Sequence, residues 1–112
     1  MDKRVELNWL LDFYGPLLTE RRQVLLRLYL EEDLSLQEIA EQVGISRQGV
    51  YDAILKAQSQ LLDYEQRLLL LARYRGIQAE IDACREALRR VPETPDVRAA
   101  QERLNSIERI GG

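Results

Sequence analysis

Two helix starts and one helix stop crowd into residues 35–57, Ser-Leu-Gln-Glu-Ile-Ala-Glu-Gln-Val-Gly-Ile-Ser-Arg-Gln-Gly-Val-Tyr-Asp-Ala-Ile-Leu-Lys-Ala, and no other stretch limits the fold so tightly. Ser35 followed by Glu38 is a capping box: the hydroxyl accepts from an early backbone N–H, and the carboxylate reaches back to the cap's own N–H. Leu34 and Ile39 flank that cap at the spacing of a hydrophobic staple. Gly44 then ends the helix, because glycine takes the left-handed conformation without a Cβ penalty. After Ile45 alone, Ser46 offers a second N-cap, and Ile45 with Val50 repeats the staple. Two capped helices with so short a link cross at a steep angle, the geometry of a helix-turn-helix.

The side chains agree with that geometry. Ile39, Val43, Ile45, Val50 and Ile54 form an apolar face shared by both helices, and Ala40 is small where the second helix must approach closely. The opposite face of the second helix carries Arg47, Gln48, Tyr51, Asp52, Leu55 and Lys56. A recognition helix contacts bases with its N-terminal turns, so this face is the candidate reader of DNA. The candidate set is Ser46, Arg47, Gln48, Tyr51, Asp52 and Lys56, joined by Arg21 and Arg22 from an earlier helix. In it Arg47 and Gln48 address base edges, Tyr51 the backbone or a thymine methyl, and Arg21, Arg22 and Lys56 phosphates. The plainer alternative is a helix-turn-helix that serves only to pack three helices together.

Leu36 to Leu62 resembles region four of bacterial sigma factors. Ser46-Arg47-Gln48-Gly49-Val50-Tyr51-Asp52 followed by Asp63-Tyr64-Glu65 is similar, more closely, to the YlxM family of small bacterial helix-turn-helix proteins. Genes of that family lie beside those of the signal recognition particle and its receptor, so the resemblance implies particle components as partners. It covers about the first seventy residues of the chain.

Composition excludes several classes. A chain of 112 residues is one domain's worth and can bury one modest core. Histidine is absent and cysteine occurs once, so no disulfide framework or common zinc site is available. No cofactor is expected. No nucleophile with its base, no phosphate loop and no metal set appears, which speaks against an enzyme. Met1-Asp2-Lys3-Arg4 followed by Val5-Glu6 does not read as a signal peptide, and the longest apolar run, Leu68 to Ala72, falls far short of a membrane span. A cytoplasmic protein is expected.

Charge is the main objection to DNA. Residues 1–62 hold seven basic groups against ten acidic ones, and the remainder is neutral. A DNA-binding domain ordinarily shows a basic footprint. A local patch of Arg21, Arg22, Arg47 and Lys56 remains open, with Asp52 inside it. A protein or ribonucleoprotein adaptor, docking through the helix-turn-helix or the C-terminal region, therefore stands beside the DNA-binding regulator.

The remaining elements are all helical. Asp2 is placed to cap a helix from Lys3 to Tyr14 whose apolar residues cover more than one face, so it lies between two neighbours, with Trp9 and Phe13 as core packing. Gly15-Pro16 ends it. Thr19 caps a second helix, Glu20 to Leu30, that turns Val24, Leu25 and Leu28 inward. Glu31-Glu32-Asp33 reads as a solvated connector rather than a metal site. Beyond Ser46 no stop signal intervenes until Pro92, and Gly76 is the expected place for a bend. Leu68-Leu69-Leu70-Leu71 points in all directions around a helix axis, so one neighbour cannot cover it. Cys84 falls in an apolar seam and reads as a small buried hydrophobe. Thr94 with Pro95 starts a last helix, with Val97, Ala100, Leu104 and Ile107 inward, folding back as a hairpin. The expected fold is thus all-α: a sigma-region-four-like bundle over 1–62, then a long helix and a helical hairpin over 63–112 that serve packing or dimerisation. A homodimer completes the core in this reading.

Overall fold

Asp2, Thr19, Ser35 and Ser46 each accept a backbone N–H at a helix start, and the four helices they open build the first half of the molecule. The computed structural model describes residues 2–111, among which there are six α-helices and no strand. They are α1 (Lys3–Tyr14), α2 (Glu20–Leu30), α3 (Leu36–Val43), α4 (Arg47–Leu68), α5 (Leu70–Leu88) and α6 (Pro95–Gly111), with a 3-10 turn at Gly15–Leu17 after α1. The chain forms two compact units, 1–71 and 72–112.

In the first unit α4 is the central element, packed on α1, α2 and α3. Leu10, Leu11 and Tyr14 of α1, Leu25 and Leu26 of α2, Ile39 of α3, and Val50, Ala57 and Leu61 of α4 are fully buried. Each leucine-sized side chain withdrawn from water contributes about 1.5–3 kcal/mol. As expected, α1 is held between two neighbours, α2 and α4. Trp9 and Phe13 stack with ring centroids 6.3 Å apart and pack against this core half-buried. Within α2 Leu25 is buried and Leu28 packs partly buried against the core as expected, but Val24 is exposed, and Leu26 and Leu30 are buried instead. The neighbours α3 and α4 approach α2 from the side that those leucines share.

Arg4 ties the start of α1 to the connector after α2. Its guanidinium lies 5.1 Å from the Tyr29 ring centre and donates to the Tyr29 carbonyl at 2.6 Å and to Asp33 at 2.7 Å.

The long helix breaks at Leu69 and not at Gly76, which lies inside α5. Leu69 takes the left-handed conformation, φ 59° and ψ 28°. Side chains from elsewhere hold the break. The buried Tyr14 hydroxyl donates to Glu65 at 2.7 Å and accepts the Leu70 N–H at 3.0 Å, while the Glu65 carboxylate accepts the Leu71 N–H at 3.0 Å. Two amides that the break strips of helical partners are thereby satisfied. The break also decides the fate of the four leucines: Leu71 joins the core, and Leu68, Leu69 and Leu70 stay exposed.

In the second unit α6 returns along α5 as a hairpin. Glu108 accepts from Gln78 at 3.0 Å and is ion-paired with Arg85, whose second nitrogen reaches Asn105 at 2.6 Å. Thr94 caps α6 as expected. Ile81 is buried, but Cys84 is exposed rather than in the seam. Ile107 is likewise exposed, its expected inward place taken by Glu108. The contact between the helices runs along Gln78, Ile81 and Arg85, which leaves Cys84 outside it.

Candidate nucleic-acid interface

The turn between α3 and α4 is built as its residues dictate. Ser35 and Glu38 make the reciprocal capping box, at 3.1 Å in both directions. Gly44 takes φ 81°, and an added Cβ there meets open space, so glycine is required by the backbone and not by crowding. Ser46 Oγ accepts the Gly49 N–H at 3.0 Å, and a Cβ on Gly49 would stand only 3.1 Å from that oxygen. Ser46 thus sets the position of α4, with its acceptor capacity directed at the backbone. Ile39, Ala40, Val50 and Ile54 bury the face between the two helices.

The outward face of α4 borders two open grooves. Leu36, Arg47, Gln48 and Tyr51 line one of about 480 Å³. Thr19, Arg21, Arg22, Gly49, Asp52, Ala53 and Lys56 line the other, of about 410 Å³. Arg21 and Arg22 in the first turn of α2 are therefore brought beside Asp52 and Lys56 of α4, across a long stretch of sequence. The Arg22 guanidinium donates to the Gln60 side-chain oxygen at 2.9 Å, and Gln60 donates on to the Tyr64 hydroxyl at 2.9 Å. Arg22 is held in place by a neutral partner and keeps its charge uncompensated. Asp52 accepts from the Gln48 amide at 3.0 Å. A carboxylate only accepts, so this bond turns the Gln48 nitrogen toward Asp52.

Leu36, Thr19 and Gln60 belong to this surface and stand outside the set that the sequence suggests. Thr19 and Leu36 carry only local cap signals, and Gln60 is placed by the packing of α4 on α2. Among the described residues no group of histidine, cysteine or carboxylate side chains could hold a metal ion, and no helix is long and apolar enough to cross a membrane.

Residues 1–94 match the model of the UPF0122 family, described as "Putative helix-turn-helix protein, YlxM / p13 like". A UPF0122 protein of Halalkalibacterium halodurans is 37% identical over 96% of this chain and 99% of its own. One of Symbiobacterium thermophilum is 45% identical over 88% of each chain, and one of Shouchella clausii is 36% identical over 98% of each.

Proposed function

Since the chain belongs to the UPF0122 family of YlxM / p13-like helix-turn-helix proteins, we propose that it is no enzyme but binds duplex DNA through α4 and acts as a transcriptional regulator in the cytoplasm. One observation carries this reading: the distribution of uncompensated cations. Arg4, Arg27 and Arg67 of the first unit are paired with Asp33, Glu31 and Asp63. Among the described residues of that unit, Arg21, Arg47 and Lys56 have no carboxylate partner, and Arg22 bonds a neutral amide. Lys3 of α1 is the other unpaired cation. A net acidic unit thus concentrates its free positive charge along the two grooves of the helix-turn-helix. Phosphates follow such a track, with Arg47 and Gln48 left to address bases.

The second unit supports a dimer. Ile77, Val91, Ile107 and Ile110 are 55%, 47%, 45% and 86% exposed, and Ile81 is the one buried apolar residue described there. A two-helix unit this small is stable when something covers it. A second copy of the chain does so and brings two reading helices to one duplex. The same exposed side chains favour the second reading, a protein or ribonucleoprotein adaptor. Signal recognition particle components enter either version through the resemblance alone.

Salt separates the two. Binding of the wild-type protein to random-sequence duplex, followed by fluorescence anisotropy, is expected to weaken steeply with salt. Replacing Arg21 and Lys56 together by Ala lowers the log–log slope by about 2, roughly one per phosphate contact. A slope unchanged in the double variant, or no binding at low salt, contradicts the phosphate track and selects the adaptor.

A further inference from the structure

Past Arg47 and Gln48, the outward face of α4 carries two large, mainly apolar side chains beside Asp52 and Lys56. Tyr51 and Leu55 stand one turn apart, 44% and 45% exposed, whereas Val50 and Ile54 beside them are buried. Two large apolar side chains are therefore held out to water on the reading face, on a helix whose inward stripe is already complete. Arg47 and Lys56 bracket them, both without a carboxylate partner, and Asp52 lies alongside. An apolar protein groove that took Tyr51 and Leu55 would also strip water from these charges, which is costly for unpaired ions. The surface that suits the whole face is a polyanion offering apolar groups at intervals. The major groove is one, because each thymine presents a C5-methyl group there between the phosphate tracks.

Resting on the DNA-binding reading, we propose that Tyr51 and Leu55 read thymine methyl groups and so determine the base preference of α4. Arg47 and Gln48 reach base edges one turn nearer the N-terminus. The methyl contacts then fall toward the middle of the site, and the preferred sequences are rich in thymine there.

The direct test replaces thymine by deoxyuridine, which removes the methyl group and leaves charge and base pairing unchanged. Short alternating dA·dT and dA·dU duplexes of equal length are compared at low salt for the wild-type protein, Leu55→Ala and Tyr51→Ala, with circular dichroism confirming that each variant is folded. Wild type is expected to favour the dA·dT duplex by about fourfold per methyl contacted, the factor for burying one methyl-sized group. Leu55→Ala and Tyr51→Ala are each expected to lower that ratio by about fourfold, the share of the one methyl contact removed. A matching preference for 5-methylcytosine over cytosine in dG·dC duplexes is expected from the same contact. Equal, salt-sensitive binding to both A-containing duplexes overturns the methyl contact while leaving DNA binding in place. A preference that survives both substitutions overturns its assignment to these residues. Binding to neither duplex removes the DNA reading together with the methyl contact.

Discussion

Glu108 shows how single residues set the local balance. The Arg85 guanidinium bonded to it holds its carboxyl below the usual carboxylate range, with the Gln78 amide acting in the same direction. A carboxylate whose folded value is lowered adds stability above its unfolded value, and the contribution is lost as pH falls through the folded one. The hairpin is therefore expected to loosen on acidification below the ordinary carboxylate range. Glu108→Gln should flatten that part of the pH dependence, measured by thermal unfolding at a series of pH values. If the variant keeps the wild-type acid profile, the pair does not hold the hairpin. At this scale the sequence is legible wherever the cause is local. Ser35, Ser46, Thr19 and Thr94 cap within three residues of themselves, so the few residues around each suffice to identify it. Val24, Cys84 and Ile107 are not legible in this way, because which side of a helix is buried depends on neighbours far along the chain.

Among the elements, the break between α4 and α5 separates what a helix pattern reveals from what it conceals. Gly76 is the weakest helix former in the stretch, yet the helix passes through it. Leu69, an ordinary helix former, takes the left-handed conformation because Tyr14 and Glu65 capture the next two amides. That signal lies in residues far upstream, so periodicity could not reveal it. Two substitutions distinguish the positions. Leu69→Gly should stabilise the protein by about 1 kcal/mol by relieving the left-handed strain. Gly76→Ala should also stabilise it, by up to about 1 kcal/mol, since Gly76 is mid-helix and an added Cβ meets nothing within 4 Å. Urea unfolding measures both. A loss of stability in Gly76→Ala would return the break to the glycine.

Across the whole molecule, the net charge of −3 misleads when it is read as an average. Within the first unit carboxylates neutralise Arg4, Arg27 and Arg67 locally, while Arg21, Arg22 and Lys56 line the groove where α2 and α4 meet. The helix-turn-helix itself is legible in the sequence down to its caps, and the family resemblance follows from the same residues. Of the patch that the sequence suggests, Arg21, Arg22 and Lys56 share one groove and Arg47 lines the other, and the Gln60 anchor that holds Arg22 is a product of tertiary packing with no local signal. The measurement that tests the central claim most directly is an amide NMR titration of the labelled protein with a random-sequence duplex at low salt. The largest shifts are predicted at residues 19–22 and 46–56, with residues 77–110 little changed. Shifts concentrated in the hairpin, or absent from α4, would contradict a DNA interface at the helix-turn-helix.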